Sequence, residues 1–222
     1  NRPLPSGRAS VRGAWAWLVV QALVGLAVLL QLTPMAVWLG IGSLGLVAIY
    51  PFMKRFTWWP QLFLGLAFNW GALMGWAAVT DGLAAAPAVL YLAGIFWTLG
   101  YDTIYAHQDK QDDALIGVKS SARRLGGATR PFLWAVYALA ILLIALSGWL
   151  AGLAWPFYLA LLVPAAHLAW QTIRVDIDDW QDCLDKFRAN KLTGLLVLAT
   201  IVLVLSNVVA GRIWCGFFCP QT

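Results

Sequence analysis

The chain has 222 residues, of which 61% are hydrophobic and 11% are charged, and its formal net charge is +5. Soluble domains have about 45–50% apolar and about 25% charged residues, so this composition excludes a water-soluble enzyme and a disordered chain. Three cysteines are too few for the framework of a small disulfide-rich module. The basic residues are confined to short loops, so no nucleic-acid partner is expected. The composition is that of an integral membrane protein.

Seven apolar stretches follow one another along the chain. They cover residues 14–31, 36–53, 61–79, 87–101, 132–150, 155–173 and 192–210. A helix needs about 20 apolar residues to cross a hydrocarbon core, and most of these stretches approach that length. The stretch at 87–101 is short, so we expect the polar residues after it to extend its helix. The pattern predicts an all-α, polytopic transmembrane helical bundle in a lipid bilayer.

The basic residues are divided unequally between the two sides of this bundle. If alternate loops are assigned to one side, beginning at the N-terminus, every Lys and Arg except Arg212 falls on that side. All acidic residues except Asp81 fall there as well. The excess of positive charge predicts that this side, which carries the candidate chemistry, faces the cytoplasm.

Two polar features lie in the first half of the chain. Lys54 and Arg55 follow the second apolar stretch in the segment YPFMKRFTWWPQ. Two adjacent cations can bind a diphosphate or a carboxylate, although taken alone they are more typical of anchoring at the membrane interface. Asn69 lies inside the third stretch, where a hydrogen bond to a neighbouring helix is favoured over facing a cavity.

The densest polar pattern is the segment YDTIYAHQDKQDDALIGVKSSARRLG, residues 101–126. At about 100° per residue on a continuous helix, Asp102, Asp109 and Asp113 share one face, which Tyr105 borders. Clustered carboxylates repel one another, and a bound divalent cation relieves that repulsion. Oxygen ligands without His or Cys favour Mg²⁺, which bridges carboxylates to substrate phosphates. A solvated acidic loop offset by nearby lysines explains the spacing equally well, so both interpretations stay open.

The remaining polar residues carry less information. Five aspartates between residues 176 and 185 are interspersed with basic residues, which is typical of a mixed-charge connector. His107 points away from the aspartate face and His167 is alone in an apolar helix, so neither is assigned a catalytic role. Cys215 and Cys219 lie four residues apart, and two thiolates do not complete a zinc or iron–sulfur site, which takes about four ligands.

The chain resembles the UbiA superfamily of intramembrane prenyltransferases in two long motifs, YPFMKRFTWWPQLFLGLAFNWGALMGWAA and YDTIYAHQDKQDDALIGVKSSARRLG. Within that superfamily it is most similar to the branch that acts on 4-hydroxybenzoate in ubiquinone biosynthesis. The resemblance covers about residues 1–200. It implies a bundle of nine transmembrane helices, of which about seven are present here. In this family two aspartate-rich motifs bind Mg²⁺ and the diphosphate of a polyprenyl donor in a central cavity.

The resemblance also implies roles for particular residues. Asp109 and Asp113 match the second aspartate-rich motif, and are therefore expected to be metal ligands and catalytic residues. Lys54 and Arg55 match a basic pair near the donor diphosphate and the acceptor, and are counted as catalytic as well. The residues expected to bind substrate are Asp102, Tyr105, Asn69, Lys119 and Arg2.

The chain departs from the family at both ends. The first aspartate-rich motif and two helices are expected before Asn1, so we expect the chain to be inactive alone. The ending SNVVAGRIWCGFFCPQT resembles a membrane-segment motif of polyferredoxin-type proteins that assist cytochrome oxidase assembly. We therefore divide the chain into a membrane prenyltransferase domain, residues 1–205, and an atypical cysteine-containing tail, residues 206–222.

The predicted function is transfer of a polyprenyl group from polyprenyl diphosphate to the ring carbon ortho to the hydroxyl of 4-hydroxybenzoate. We expect a Mg²⁺-dependent, multi-pass enzyme of a bacterial inner (plasma) membrane. Two alternatives remain: prenyl transfer to another aromatic acceptor, and membrane electron transfer or cytochrome oxidase assembly of the polyferredoxin type. A transporter is disfavoured because no charge falls inside a predicted span.

Overall fold

The computed structural model of the chain describes residue 4 and residues 6–218, with side chains up to residue 202. Within this part of the chain all regular secondary structure is helical, as the composition predicts. The helices are α1 (Val11–Leu29), α2 (Pro34–Ile49), α3 (Met53–Phe56), α4 (Pro60–Phe68), α5 (Gly71–Thr80), α6 (Ala85–Gln108), α7 (Lys110–Ile116), α8 (Ser121–Leu125), α9 (Thr129–Leu150), α10 (Trp155–Arg174) and α11 (Trp180–Phe218). Two 3₁₀ turns, Tyr50–Phe52 and Gly126–Ala128, join α2 to α3 and α8 to α9.

Four helical segments in the described residues are long and apolar enough to cross a membrane. They are Val11–Leu29, Pro34–Phe56, Pro60–Thr80 and Ser121–Leu150. α6, α10 and α11 add helices of 24, 20 and 39 residues at the positions of the other three apolar stretches. α6 begins at Ala85 and continues through polar residues to Gln108, which confirms the expected extension of the short fourth stretch.

Local signals in the sequence set the helix starts. The Oγ of Ser10 accepts the backbone N–H of Gly13 at 3.0 Å and so caps the first turn of α1. Thr33 caps α2 directly before Pro34, whose fixed φ and missing N–H suit the first helical position. The hydroxyl of Thr33 also donates to the carbonyl of Ala77 at 2.6 Å, so the start of α2 is held against the end of α5.

α6 lies at the centre of the bundle, packed against α4, α9 and α11. Ile104 of α6 is buried together with Leu133 and Tyr137 of α9. By contrast, Trp15 and Leu23 of α1 are among many large apolar side chains that are exposed. An apolar exterior is favourable only in contact with lipid, so the burial pattern agrees with a membrane bundle.

Two glycines of α6 allow close approach of neighbouring side chains. A Cβ at Gly100 would lie 2.1 Å from a ring carbon of Tyr137, and a Cβ at Gly94 would lie 2.3 Å from Oδ1 of Asn69. Small residues at helix contacts are a common device of membrane bundles. Here they hold α4 and α9 close to the segment of α6 that leads to the aspartates.

Candidate functional site at the end of α6

The aspartate segment is not one continuous helix. α6 ends at Gln108, α7 begins at Lys110, and Asp109 lies between them with φ −98° and ψ 6°. The continuous helix on which we expected Asp102, Asp109 and Asp113 to share one face is therefore interrupted at Asp109. Asp102 and Asp113 nevertheless both remain near Lys54. In the described part of the chain no three His, Cys, Asp or Glu residues come together as a metal cluster.

The turn nevertheless keeps Asp109 next to Asp113. The backbone N–H of Asp113 donates to the carbonyl of Asp109 at 2.8 Å, so the two residues lie one helical turn apart. Asp113 is only 5% exposed, which is unusual for a carboxylate. We therefore consider this turn, and not the whole acidic segment, as the candidate metal-binding element.

Asp113 is partly neutralised by Lys54. Oδ1 of Asp113 lies 3.6 Å from Nζ of Lys54, whereas the buried Oδ2 has no hydrogen-bond partner among the described residues. Asp102 lies within electrostatic reach of both Lys54 and Asp109. A buried carboxylate oxygen without a partner is costly, and a bound cation removes that cost. The donor set thus fits a hard divalent cation such as Mg²⁺.

The loop after α7 brings a second lysine to the same place. Gly117 ends α7 with φ 78°, a left-handed conformation that favours glycine. The chain then turns so that the N–H of Lys119 donates to the carbonyl of Lys54 at 2.9 Å, and Nζ of Lys119 donates to the carbonyl of Phe56 at 3.1 Å. The predicted substrate-binding Lys119 is therefore placed beside the turn that carries Lys54 and Arg55.

Arg123 braces this loop, and our sequence analysis gave it no role. Its Nη1 donates to the carbonyl of Asp113 at 3.3 Å and to that of Val118. Its guanidinium carbon lies 5.6 Å from the ring centre of Trp58. The only signal in the sequence is a further arginine in the motif that carries the aspartates.

The other predicted site residues are placed less uniformly. Arg55 is exposed next to Lys54 and has no ion pair within the part of the chain that the structure describes. Tyr105 packs its ring 4.6 Å from that of Phe187 on α11. Arg2 lies outside the described residues.

Asn69 connects α4 to α6. Its Nδ2 donates to the carbonyl of Gly65 at 2.9 Å and to Oγ1 of Thr98 at 2.8 Å, so the favoured interhelical hydrogen bond is present. Asn69 also lines a cavity of about 330 Å³ together with Trp97 and Tyr101. A structural role and contact with a ligand are both compatible with this position.

The aromatic wall of this cavity is held by a buried polar network that sequence reasoning missed. Nε1 of Trp97 donates to Oδ1 of Asn190 at 2.8 Å, and Nδ2 of Asn190 donates to Oε1 of Gln171 at 2.9 Å. The network joins α6, α10 and α11 through residues that are far apart in sequence, so no local sequence pattern predicts it. It restricts the ring of Trp97 to one orientation beside Tyr101.

Two of the five aspartates in the acidic connector form ion pairs, which agrees with the mixed-charge pattern of this segment. Lys186 pairs with Asp182 at 2.6 Å, and Arg188 pairs with Asp185 at 3.7 Å. Burial on its own would raise the pKa of Asp182, but the Lys186 ammonium holds that pKa below its usual value. The side chain of Cys215 and the whole of Cys219 lie outside the described residues.

The site therefore combines carboxylates and lysines at the end of a membrane helix beside an aromatic cavity. Such an arrangement suits a substrate with an anionic diphosphate head and an apolar tail. The sequence matches the UbiA prenyltransferase family over residues 1–195, and it matches a 4Fe-4S binding domain over residues 192–222. The first match covers most of the chain, which accordingly belongs to the UbiA prenyltransferase family.

Named relatives agree with this assignment, and one solved structure shares the fold. The chain is 48% identical over 204 residues to the 4-hydroxybenzoate polyprenyltransferase, mitochondrial, of Aedes aegypti, covering 91% of this chain and 46% of that protein. The chain is 44% identical over 215 residues to the Homo sapiens protein of the same name, and the match covers 96% of this chain and 56% of that protein. The apo structure of a UbiA homolog from Aeropyrum pernix K1 superposes with a TM-score of 0.77 at 23% identity, covering 92% and 77%. The chain spans about half the length of these curated relatives.

The names of these relatives correct one prediction. Placement in a bacterial inner membrane, with the site facing the cytoplasm, is contradicted because the curated relatives are named mitochondrial. That prediction interpreted the unequal distribution of Lys and Arg as evidence for a bacterial inner membrane. The asymmetry of the sequence itself remains: every Lys and Arg except Arg212 falls on one side when alternate segments between the apolar stretches are assigned to the two sides.

Proposed function

We propose that the chain carries the catalytic cavity of a Mg²⁺-dependent aromatic prenyltransferase. The reaction is transfer of a polyprenyl group from polyprenyl diphosphate to the ring carbon ortho to the hydroxyl of 4-hydroxybenzoate, in ubiquinone biosynthesis. The family supports prenyl transfer, and the names of relatives at 44–48% identity support the acceptor. The observation that carries the proposal is the buried Asp113, with one oxygen facing Lys54 and the other without a partner.

The donor diphosphate would bind where the carboxylates of Asp109 and Asp113 lie near the lysine side chains. Asp109 and Asp113 would hold Mg²⁺, and Mg²⁺ supplies positive charge to the phosphate oxygens. Lys54 and Lys119 would donate to the diphosphate directly, and Arg55 lies on the same turn. Arg2 is included in this set from the family resemblance alone. These fixed cations stabilise the charge that grows on the leaving diphosphate as its bond to the allylic carbon breaks.

The acceptor ring would react in the aromatic cavity. Cleavage of the C–O bond leaves an allylic cation, the ring carbon ortho to the hydroxyl forms the new C–C bond, and that carbon then loses its proton. Trp97 and Tyr101 line the cavity of about 330 Å³, and Arg188 and Lys191 also belong to its wall. The two aromatic ring faces would stabilise a cation while excluding water. Asn69 lines the same cavity, whereas Asp102 and Tyr105 lie on α6 between the cavity and Asp109.

The test is product formation in membranes that contain the whole gene product. Polyprenyl diphosphate and labelled 4-hydroxybenzoate are supplied, and the prenylated ring is identified by mass spectrometry. Activity should disappear on chelation and return with Mg²⁺. Asp109→Ala and Asp113→Ala should each remove most activity, and the double variant should be little worse, because groups that act as a unit are not additive.

Three results would count against the proposal. Full turnover in the presence of a chelator would exclude the metal, and normal activity of both single variants would exclude the site. Transfer to other phenols with no transfer to 4-hydroxybenzoate would favour the alternative aromatic acceptor. The same assay on residues 1–222 alone tests our expectation that the chain does not turn over by itself.

A second candidate function concerns the tail. The match to a 4Fe-4S binding domain at residues 192–222 favours a role in membrane electron transfer, and it includes Cys215 and Cys219. These cysteines supply two of the about four thiolates that a cluster needs. We keep the division into residues 1–205 and 206–222 as part of the proposal. An iron–sulfur absorption band that is lost in Cys215→Ser and Cys219→Ser would support this candidate, and an iron-free protein would exclude it.

A further inference from the structure

The aromatic cavity carries positive charge on one wall. Arg188 and Lys191 of α11 line this cavity of about 330 Å³ together with Trp97, Tyr101 and Phe187. Residues three apart on a helix are neighbours on its surface, so the two cations belong to the same side of the cavity. Neither cation lies in the two motifs that carry the family resemblance or in the aspartate turn.

A hydrogen bond and a ring contact hold this part of α11 against α6. Nε1 of Trp97 donates to Oδ1 of Asn190 at 2.8 Å, and Asn190 directly precedes Lys191 in the chain. One helical turn before Lys191, the ring centre of Phe187 lies 5.8 Å from that of Tyr101. The backbone of Lys191 is therefore fixed beside the two aromatic rings of α6 that line the cavity.

The charge of these two cations is not balanced within the described part of the chain. Lys191 forms no ion pair with any described residue, and Arg188 pairs only with Asp185, at 3.7 Å. The side chains of that pair are 62% and 71% exposed, so water weakens their attraction. Positive charge on this wall opposes the allylic cation that the proposed reaction forms in the same cavity. An anionic group on the bound substrate would remove that opposition.

We propose that Lys191, with Arg188 beside it, binds the carboxylate of an aromatic acceptor in this cavity and so selects a hydroxybenzoate over its neutral analogues. The assignment rests on the proposed function, because it concerns the acceptor of that reaction. An apolar cavity of about 150 Å³ takes a benzene ring, so one of about 330 Å³ has room for a substituted ring. The ring packs against Trp97 and Tyr101, and the carboxylate accepts from the Lys191 ammonium.

The basic pair Lys54 and Arg55 is the competing place for this carboxylate. Neither of these two residues lines the aromatic cavity. Nζ of Lys54 lies 3.6 Å from Oδ1 of Asp113, in the turn where the donor diphosphate is proposed to bind. A carboxylate placed there would be repelled by the diphosphate and by the aspartates. A carboxylate on the α11 wall is not part of that cluster, so this wall is the favoured place.

The test compares two ligands that differ in one charge. Binding to the whole gene product is measured by isothermal titration calorimetry without any prenyl donor. The ligands are 4-hydroxybenzoate and 4-hydroxybenzamide, which has the same ring and hydroxyl but a neutral amide in place of the carboxylate. We expect 4-hydroxybenzoate to bind about tenfold more tightly, since hydrogen bonds between charged partners are roughly twice as strong as those between neutral ones.

Variants connect this preference to the α11 wall. Lys191→Gln should abolish the preference by weakening the binding of 4-hydroxybenzoate alone, and Lys191→Arg should keep most of it. Arg188→Gln should have a smaller effect, because Arg188 also pairs with Asp185. Arg174→Gln is the matched control and should leave both affinities unchanged, because Arg174 is exposed at the end of α10 and does not line the cavity. In the prenylation assay Lys191→Gln should raise KM for 4-hydroxybenzoate with kcat unchanged.

Equal affinities of the unaltered protein for the two ligands would overturn the proposal. Equal weakening of both ligands in Lys191→Gln would overturn it as well, since the variant would then damage the cavity rather than remove a carboxylate contact. A preference that survives Lys191→Gln but disappears in Arg55→Gln would place the carboxylate at the competing basic pair. Because no donor is present, the preference can be found in a protein that transfers no prenyl group. Conversely, prenyl transfer to 4-hydroxybenzoate without any preference in binding would sustain the proposed function and refute the carboxylate site.

Discussion

Replacing Asp113 by asparagine should separate catalysis from stability. The 3.6 Å between Oδ1 and Nζ of Lys54 corresponds to a gross attraction of ~1 kcal/mol in water and ~5 kcal/mol at an effective dielectric constant of about 20. The Lys54 side chain is 48% exposed, so the lower figure applies. Removing the charge also removes the desolvation cost of the unpartnered Oδ2, about 1–3 kcal/mol for such a group. The two effects oppose each other, so Asp113→Asn should change the unfolding free energy by no more than about 1 kcal/mol.

Turnover should respond very differently. Loss of one fixed group that stabilises transition-state charge typically costs about 10²–10³ in kcat, so we expect a fall of that order at saturating Mg²⁺. Thermal unfolding in detergent and the prenylation assay are measured on the same preparations. Asp112→Asn is the matched control, since Asp112 is an exposed aspartate on the same short helix α7. If Asp113→Asn loses activity in parallel with stability, Asp113 is structural; if it keeps normal turnover, the site assignment is wrong.

Three further predictions concern Lys54, the packing at Gly100 and the membrane topology. Lys54→Ala should lower activity about tenfold or more. Arg174→Ala should leave activity nearly unchanged, because Arg174 is an exposed residue at the end of α10 and not next to Asp109 or Asp113 in the chain. Equal losses in the two variants would mean that the assay responds to general surface charge. Gly100→Ala should lower the unfolding free energy by about 1–3 kcal/mol, since the new methyl group overlaps a buried tyrosine ring, and an unchanged melting temperature would contradict that packing. Cysteines introduced at Gln111 and Gly82 should be labelled from opposite sides of the membrane, and labelling of both from one side would refute the helix count.

The helices were predictable because each helix that crosses a lipid bilayer needs a long stretch of apolar residues. Each apolar stretch coincides with a helical segment, and the polar extension of α6 to Gln108 follows from the short stretch before it. Asn69 is an intermediate case. The sequence indicates a buried polar group, but only the structure identifies Thr98 on α6 as its partner.

The break at Asp109 was not predictable from local sequence. No proline or glycine lies near it, and the residues on either side are compatible with a helix. Contacts from outside the helix hold the chain that follows the break: Lys119 donates to the carbonyl of Lys54, and Arg123 donates to that of Asp113. The proximity of Lys54 to Asp113 has the same origin, so spacing alone left the metal site and the solvated loop equally plausible.

Arg123 contacts the turn that carries Asp113, and this allows a last prediction. Its Nη1 donates to the carbonyls of Asp113 and Val118. Arg123→Gln should therefore raise the Mg²⁺ concentration needed for half-maximal activity about tenfold, because the turn carrying Asp113 loses a charged hydrogen bond worth about 1.5–3 kcal/mol. Arg123→Lys should rescue little, since the shorter and more flexible lysine side chain does not place its ammonium where Nη1 reaches both carbonyls.

Arg124→Gln, one residue further along α8, serves as the control for charge and should leave the Mg²⁺ requirement unchanged. A purely structural role for Arg123 would lower the melting temperature and the maximal rate without altering the Mg²⁺ requirement. An unaltered Mg²⁺ requirement in Arg123→Gln would therefore show that the carbonyl contacts do not position Asp113.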